Sequence, residues 1–186
     1  MEKEKSYQKK ILTVPNILSF IRLAMIPVIV WCYCVKESYG GTALLLILSG
    51  LTDMADGFIA RHFHMISDLG KILDPIADKL TQAAVLFCLA TDHAGMMMLF
   101  VLLFIKEVCM AVLGLVTIKK TRKVNGAVWH GKVTTTLLYA TMTLHILWPQ
   151  IPAVFSHTTI FICAVMMLVS FVLYGRRDIQ TLRNHT

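Results

Sequence analysis

Four aspartates lie close together in a chain that is otherwise strongly apolar. Asp53 and Asp56 are three residues apart, and Asp74 and Asp78 are four residues apart. Either spacing places both carboxylates on one face of a helix. Four converging carboxylates repel one another and are costly to desolvate, whereas divalent cations balance their charge. Because hard oxygen ligands suit Mg²⁺ or Mn²⁺ better than zinc, the pattern predicts a pair of such ions.

The elements that position these acids are predicted to be membrane-spanning helices. The chain is 56% hydrophobic, and its apolar runs approach the length of about 20 residues that crosses a bilayer. Helices satisfy their own backbone hydrogen bonds in lipid, so we predict an all-α integral membrane protein with one domain over residues 1–186. The six predicted segments are residues 14–35, 41–60, 75–91, 94–118, 131–149 and 153–175. Acids paired with basic residues as solvated loop charges are the alternative, but helical spacing within apolar segments argues against it.

Basic residues occupy alternate connections between the segments. The formal net charge is +7, and the basic residues in these alternate connections include Lys9, Arg61, Lys119 and Arg176. The positive-inside rule makes that side cytoplasmic, together with both termini. The basic balance therefore indicates orientation and contact with anionic lipid, and not nucleic-acid binding.

The first residues, 1–12, form a charged juxtamembrane segment. They fit a short amphipathic helix on the membrane surface and a solvated basic tail equally well. Their charge is unlike the start of a signal peptide, which favours the bacterial cytoplasmic membrane as the location.

The acids are embedded in a longer pattern of small and basic residues. Gly57, Ala60 and Arg61 follow the first pair of acids, and Gly70 precedes the second pair. In its residue types and spacing, the stretch from Asp53 to Asp78 resembles the signature of the CDP-alcohol phosphatidyltransferase family. The similarity continues through "TVPNILSFIR" before this stretch and "HGKVTTT" after it.

The resemblance implies a six-helix membrane fold with a polar cavity open to the cytoplasm. Asp53, Asp56 and Asp74 would bind the metal ions, while Asp78 would contact the metal site and act as the general base. Family members transfer a phosphatidyl group from CDP-diacylglycerol to an alcohol and release CMP. The residues implied to line the CDP pocket are Asp53, Asp56, Gly57, Ala60, Arg61 and Gly70.

Residues outside the signature bear on the acceptor alcohol. "GKILDPIADKL" resembles the phosphatidylglycerophosphate synthase and cardiolipin synthase branches, and Glu107 favours the branch that uses glycerol 3-phosphate. Lys106 stands where both branches tend to have arginine, so it keeps the charge but loses the bidentate fork. We predict that Arg22, Lys106 and Lys132 bind the acceptor. Phosphatidylglycerol is the alternative acceptor, snorkelling to headgroups is the alternative for Lys132, and a structural ion pair is the alternative for Arg22.

Two other function classes fit part of the pattern. Intramembrane acids also mark cation transporters, but transport gives no reason for Gly57, Ala60, Arg61 and Gly70 at these spacings. A catalytically silent scaffold would not need all four acids. The expected partners are CDP-diacylglycerol, glycerol 3-phosphate, membrane lipids and, because dimers are common in the family, a second copy of the chain.

Overall fold

The computed structural model describes residues 14–62, 70–121 and 129–183, and all the regular structure in them is α-helical. This confirms the all-α class and the predicted succession of helical segments. The helices are α1 (Val14–Cys34), α2 (Tyr39–His62), α3 (Gly70–Asp92), α4 (Ala94–Thr121), α5 (Trp129–Leu147) and α6 (Ala153–Arg183). The predicted surface segment at residues 1–12 lies outside the described residues.

Two helices extend well beyond the apolar runs from which they were predicted. α3 begins at Gly70 and not at residue 75, so Asp74 lies inside the helix, ahead of Pro75. α6 continues from residue 175 to Arg183. Backbone hydrogen bonding continues a helix through polar residues, whereas hydropathy marks only its apolar part. The longer α3 matters for function because it places Asp74 and Asp78 on the same helix.

Among the described residues, three helices contain a stretch long and apolar enough to cross a membrane. These stretches are Asn16–Cys34 in α1, Ala94–Thr117 in α4 and Ala153–Arg183 in α6. Large apolar side chains such as Phe104 and Leu115 are exposed on the surface, as expected where lipid solvates the protein. The chain is therefore a helical membrane protein. Six spans and a polar cavity stay predictions.

The chain divides into two compact units. In the first, residues 1–85, α1 packs against α2, and Ile29 and Leu46 are fully buried. In the second, residues 86–186, α6 packs against both α4 and α5, around buried side chains such as Met142. α3 runs through both units. The single domain predicted for residues 1–186 stays a prediction.

Buried polar side chains in the second unit form neutral hydrogen bonds between α5 and α6. Nδ1 of His145 lies 2.8 Å from the carbonyl of Thr141, and Nε2 lies 3.0 Å from Oγ of Ser156. Because a carbonyl only accepts, Nδ1 donates, and the neutral ring accepts the serine hydroxyl at Nε2. Nδ1 of His130 lies 3.3 Å from Oγ of Ser170, which gives a second contact between α5 and α6. These bonds join helices through uncharged groups.

Candidate functional site

The first unit positions the signature acids through two helices. The backbone of α2 is helical through Asp53 and Asp56, and α3 carries Asp74 and Asp78 one turn apart. The helical spacing predicted for both pairs is therefore confirmed. The side chain of Asp56 lies outside the described part, so the geometry below concerns the other three acids.

Asp53 is held by an arginine from α1. Nη1 of Arg22 donates to Oδ1 of Asp53 at 2.6 Å, which is a short, charge-assisted contact. The Arg22 side chain is 1% exposed, whereas the Asp53 side chain is 47% exposed. A buried guanidinium thus fixes one carboxylate oxygen of a side chain that still reaches solvent. Arg22 was predicted to face a carboxylate or a cavity, and the carboxylate is that of Asp53.

Asp74 also receives a hydrogen bond from α1. The hydroxyl of Ser19, which is completely buried, donates to Oδ1 of Asp74. Ser19 is three residues from Arg22, and Asn16 is three residues before Ser19 and is also buried. Since residues three apart share a helix face, α1 presents one polar stripe within an apolar helix. That stripe contacts one acid from α2 and one from α3.

Asp78 is held by a residue of its own helix. Nε2 of Gln82 donates to Oδ1 at 3.1 Å and to Oδ2 at 3.0 Å. The ammonium group of Lys79 lies 3.6 Å from Oδ2. Gln82 is completely buried, whereas the side chain of Asp78 is 21% exposed. Each of the three described acids therefore has a donor that orients it.

Sequence reasoning missed Ser19 and Gln82. Gln82 stands four residues after Asp78, a spacing that signals a same-face contact on a helix. Ser19 stands three residues before Arg22, which signals that both lie on one face of α1. Neither spacing identifies Asp74 as the partner of Ser19, because that contact joins residues 55 positions apart.

The three described carboxylates lie within electrostatic reach of one another. The negative charges of Asp74 and Asp78 both act on Asp53, and the guanidinium of Arg22 offsets part of this repulsion. A donor set made only of carboxylate oxygens fits Mg²⁺ or Mn²⁺. Within the described residues, no three His, Cys, Asp or Glu side chains converge closely enough to hold a metal ion. The set fits such ions in chemistry and charge, and the role of Asp56 stays a prediction.

Four of the residues predicted for the CDP pocket lie near the end of α2 or at the start of α3. Gly57, Ala60 and Arg61 belong to the helical backbone of α2, and their side-chain positions lie outside the described part. Gly70 begins α3 and is buried. Their contribution to a CDP pocket therefore stays a prediction.

The second unit carries the other residues predicted to bind the acceptor. Nζ of Lys106 lies 2.7 Å from Oε1 of Glu107, its neighbour in the chain. Lys132 is exposed near the start of α5.

Two surface grooves in the second unit contain none of the signature acids. One has a volume of ≈ 470 Å³ and lies between Gly95 and Met98 of α4 and Phe161 of α6. The other, of ≈ 140 Å³, lies between Leu144 of α5 and Ile162 of α6. Both have mainly apolar linings, as expected of lipid-facing grooves between helices.

Comparison with known proteins decides the family. A family model described as CDP-alcohol phosphatidyltransferase matches residues 12–174, which include the acids and their described donors. The chain belongs to the CDP-alcohol phosphatidyltransferase family. This family consists of transferases, so the assignment favours group transfer over cation transport.

Curated relatives of this chain are named for two different activities. A putative cardiolipin synthase of Mycobacterium tuberculosis is 45% identical over 78 residues, which are 42% of this chain and 37% of the relative. A CMP-forming cardiolipin synthase of Streptomyces coelicolor is 46% identical over 76 residues, or 38% of this chain and 35% of the relative. A CDP-diacylglycerol–glycerol-3-phosphate 3-phosphatidyltransferase of Rickettsia bellii is 42% identical over 77 residues, or 40% of this chain and 42% of the relative. The chain thus covers well under half of the length of these relatives.

Proposed function

We propose that the chain transfers a phosphatidyl group from CDP-diacylglycerol to glycerol 3-phosphate. A hydroxyl oxygen of the acceptor attacks the lipid-side phosphorus of the diphosphate. The bond between that phosphorus and the bridging oxygen breaks, and CMP leaves. The products are phosphatidylglycerophosphate and CMP, so the reaction belongs to phospholipid biosynthesis.

The observation that carries this proposal is that three signature carboxylates of the first unit are each held by a side-chain donor. Arg22, Ser19 and Gln82 each hold one acid by a side-chain hydrogen bond. Carboxylates that are oriented before substrate binds need little reorganisation during the reaction. Asp78 takes the proton of the attacking hydroxyl, because a partly exposed carboxylate within a polar site suits a general base.

The same acids are proposed to hold two divalent cations, Mg²⁺ or Mn²⁺. Asp53, Asp56, Asp74 and Asp78 would be the ligands, and the bound ions would neutralise charge on the diphosphate and on departing CMP. Gly57, Ala60, Arg61 and Gly70, together with Asp53 and Asp56, are proposed to line the CDP pocket.

The apolar helices suit a lipid substrate. Acyl chains of CDP-diacylglycerol can stay in the bilayer beside α1, α4 and α6, while CMP and glycerol 3-phosphate exchange with water. We propose a multi-pass protein of the bacterial cytoplasmic membrane with both termini cytoplasmic, as the distribution of basic residues predicts.

The choice of glycerol 3-phosphate depends on residues of the second unit. Glu107 is the residue that favours this acceptor, and it holds Lys106 by an ion pair of 2.7 Å. Lys132 is exposed and supplies a further positive charge. Arg22, which donates to Asp53, is the third residue proposed to bind the acceptor. Positively charged side chains form strong hydrogen bonds with phosphate, so they suit a phosphorylated acceptor.

Phosphatidylglycerol is the second candidate acceptor, and its product would be cardiolipin. The observation that favours it is that the relatives from Mycobacterium tuberculosis and Streptomyces coelicolor are named cardiolipin synthases. Both candidates share the donor substrate, the acids and the release of CMP, and they differ only in the alcohol.

The test is release of CMP by the purified chain in detergent micelles containing CDP-diacylglycerol and Mg²⁺ or Mn²⁺. Glycerol 3-phosphate and phosphatidylglycerol are offered in separate reactions, and the lipid product is identified by mass spectrometry. Release that requires glycerol 3-phosphate is the expected result. Release with phosphatidylglycerol alone would replace the first candidate with the second. Release with neither alcohol would contradict both.

A further inference from the structure

The amide of Gln82 makes an unusual contact for a buried glutamine in an apolar helix. Its Nε2 donates to both oxygens of Asp78, at 3.1 and 3.0 Å. Both residues lie in α3, one turn apart, and Gln82 is completely buried. An amide directed at both oxygens restricts rotation of the carboxylate more than a contact with one oxygen would. The contact therefore bears on the orientation of Asp78.

Its neighbour Thr81 shows how a buried polar group in α3 is otherwise satisfied. Thr81 is also completely buried, and its hydroxyl donates to the carbonyl of Ala77 in the same helix, at 2.8 Å. That bond satisfies the hydroxyl within its own helix and involves no acid. Gln82 uses its donor on a carboxylate instead, although burying an amide costs about 1–3 kcal/mol when its bonds are incomplete.

The orientation of the amide agrees with this use. Oε1 of Gln82 is buried and has no hydrogen-bond donor among the described residues. Reversing the amide would direct this oxygen at the two oxygens of Asp78, and the three acceptors would repel one another. Within the described part of the chain, the donor of Gln82 holds Asp78 while its acceptor has no partner, at a cost of about 1–3 kcal/mol.

We propose that Gln82 is a positioning residue that fixes the plane of the Asp78 carboxylate for cation binding. The inference rests on the proposed function, in which Asp78 is a metal ligand. A carboxylate offers roughly four lone-pair directions, and the single amide nitrogen of Gln82 uses only part of them. Partners that orient metal ligands typically change metal affinity or activity by about 10–100-fold when they are removed.

The test compares Gln82→Met with Thr81→Val. Gln82→Met keeps the length of the side chain and removes the donor, whereas Thr81→Val removes a neighbouring buried hydroxyl that contacts no acid. Mn²⁺ binding is measured by electron paramagnetic resonance on purified protein in lipid nanodiscs without substrate. We expect the dissociation constant for Mn²⁺ to rise by about 10–100-fold in Gln82→Met and to stay unchanged in Thr81→Val. The Mn²⁺ concentration that gives half-maximal CMP release should rise in parallel, with KM for CDP-diacylglycerol unchanged at saturating Mn²⁺.

Unchanged Mn²⁺ binding by folded Gln82→Met would overturn the inference. Equal losses of Mn²⁺ affinity in Gln82→Met and Thr81→Val would do the same, as would a wild-type protein that binds no Mn²⁺. Should Gln82→Met fail to fold, Gln82→Asn keeps a buried amide but shortens it by one methylene. It should also weaken Mn²⁺ binding, and wild-type affinity in this variant would equally overturn the inference. If Gln82→Met weakens Mn²⁺ binding as expected but the wild-type protein releases no CMP, the proposed function alone is contradicted.

Discussion

Two sets of buried polar side chains, one in each unit of this chain, do different work. In the first unit they donate to carboxylates: Arg22 to Asp53, and Ser19 to Asp74. In the second unit they pair with neutral groups, as His145 does with Thr141 and Ser156. A hydrogen bond to a charged group is worth about 1.5–3 kcal/mol, against about 1 kcal/mol between neutral groups. The charged contacts therefore mark the region built for chemistry, and the neutral ones mark helix association in lipid.

The comparison implies that removing a side chain that donates to a signature acid reduces activity, whereas removing a neutral hydrogen bond between α5 and α6 changes only stability.

Arg22→Met should reduce CMP release on the order of 100-fold, because Asp53 loses the donor that orients it. Arg22→Lys keeps the charge without the planar fork, so a smaller loss is expected. Initial rates of CMP release at saturating CDP-diacylglycerol measure both, and thermal unfolding in detergent checks that each variant is folded. Wild-type rates in a folded Arg22→Met protein would mean that the ion pair is only structural.

Ser19→Ala should lower CMP release about 10-fold, because Asp74 loses its hydrogen bond from α1. Ser49→Ala is the matched control, since Ser49 is equally buried and its hydroxyl has no hydrogen-bond partner within the described ranges. The control should keep full activity. The same rate assay measures both, and equal activities in the two variants would remove Ser19 from the site.

Ser156→Ala should leave CMP release unchanged and lower the free energy of unfolding by about 0.6 kcal/mol, the average for hydrogen bonds between membrane helices. His145 loses its partner on α6 in this variant. Thr158→Val is the control, because Thr158 is exposed and bonds to the carbonyl of Val154 in its own helix. Reversible unfolding in mixed micelles measures the difference. Loss of activity in Ser156→Ala would break the proposed division between the units.

The sequence allowed the helices to be predicted with small errors. The 75–91 run marked only part of α3, because the charged residues Lys71 and Asp74 interrupt the apolar pattern before Pro75. The 153–175 run missed the charged end of α6. Both differences arise because hydropathy detects only the apolar part of a helix. The helix itself continues for as long as its backbone hydrogen bonds do.

The acids were predictable from the sequence, but most of their partners were not. Helical spacing pairs Asp78 with Gln82, four residues later, so that contact was within reach. The bond from Ser19 to Asp74 joins residues 55 positions apart, and the Arg22–Asp53 pair joins residues 31 apart. Such partners depend on how α1 packs against its neighbours, which periodicity within one helix does not report.

The central claim is tested most directly by CMP release from Asp78→Asn beside Asp92→Asn, with CDP-diacylglycerol, glycerol 3-phosphate and Mg²⁺. Both acids belong to α3, but Asp92 is exposed at the far end of the helix from the signature. Removing a general base lowers rates by about 10²–10⁴-fold, so Asp78→Asn should lose that much activity. Asp92→Asn should keep wild-type activity. Equal rates in the two folded variants would contradict the assignment of the reaction to the signature acids.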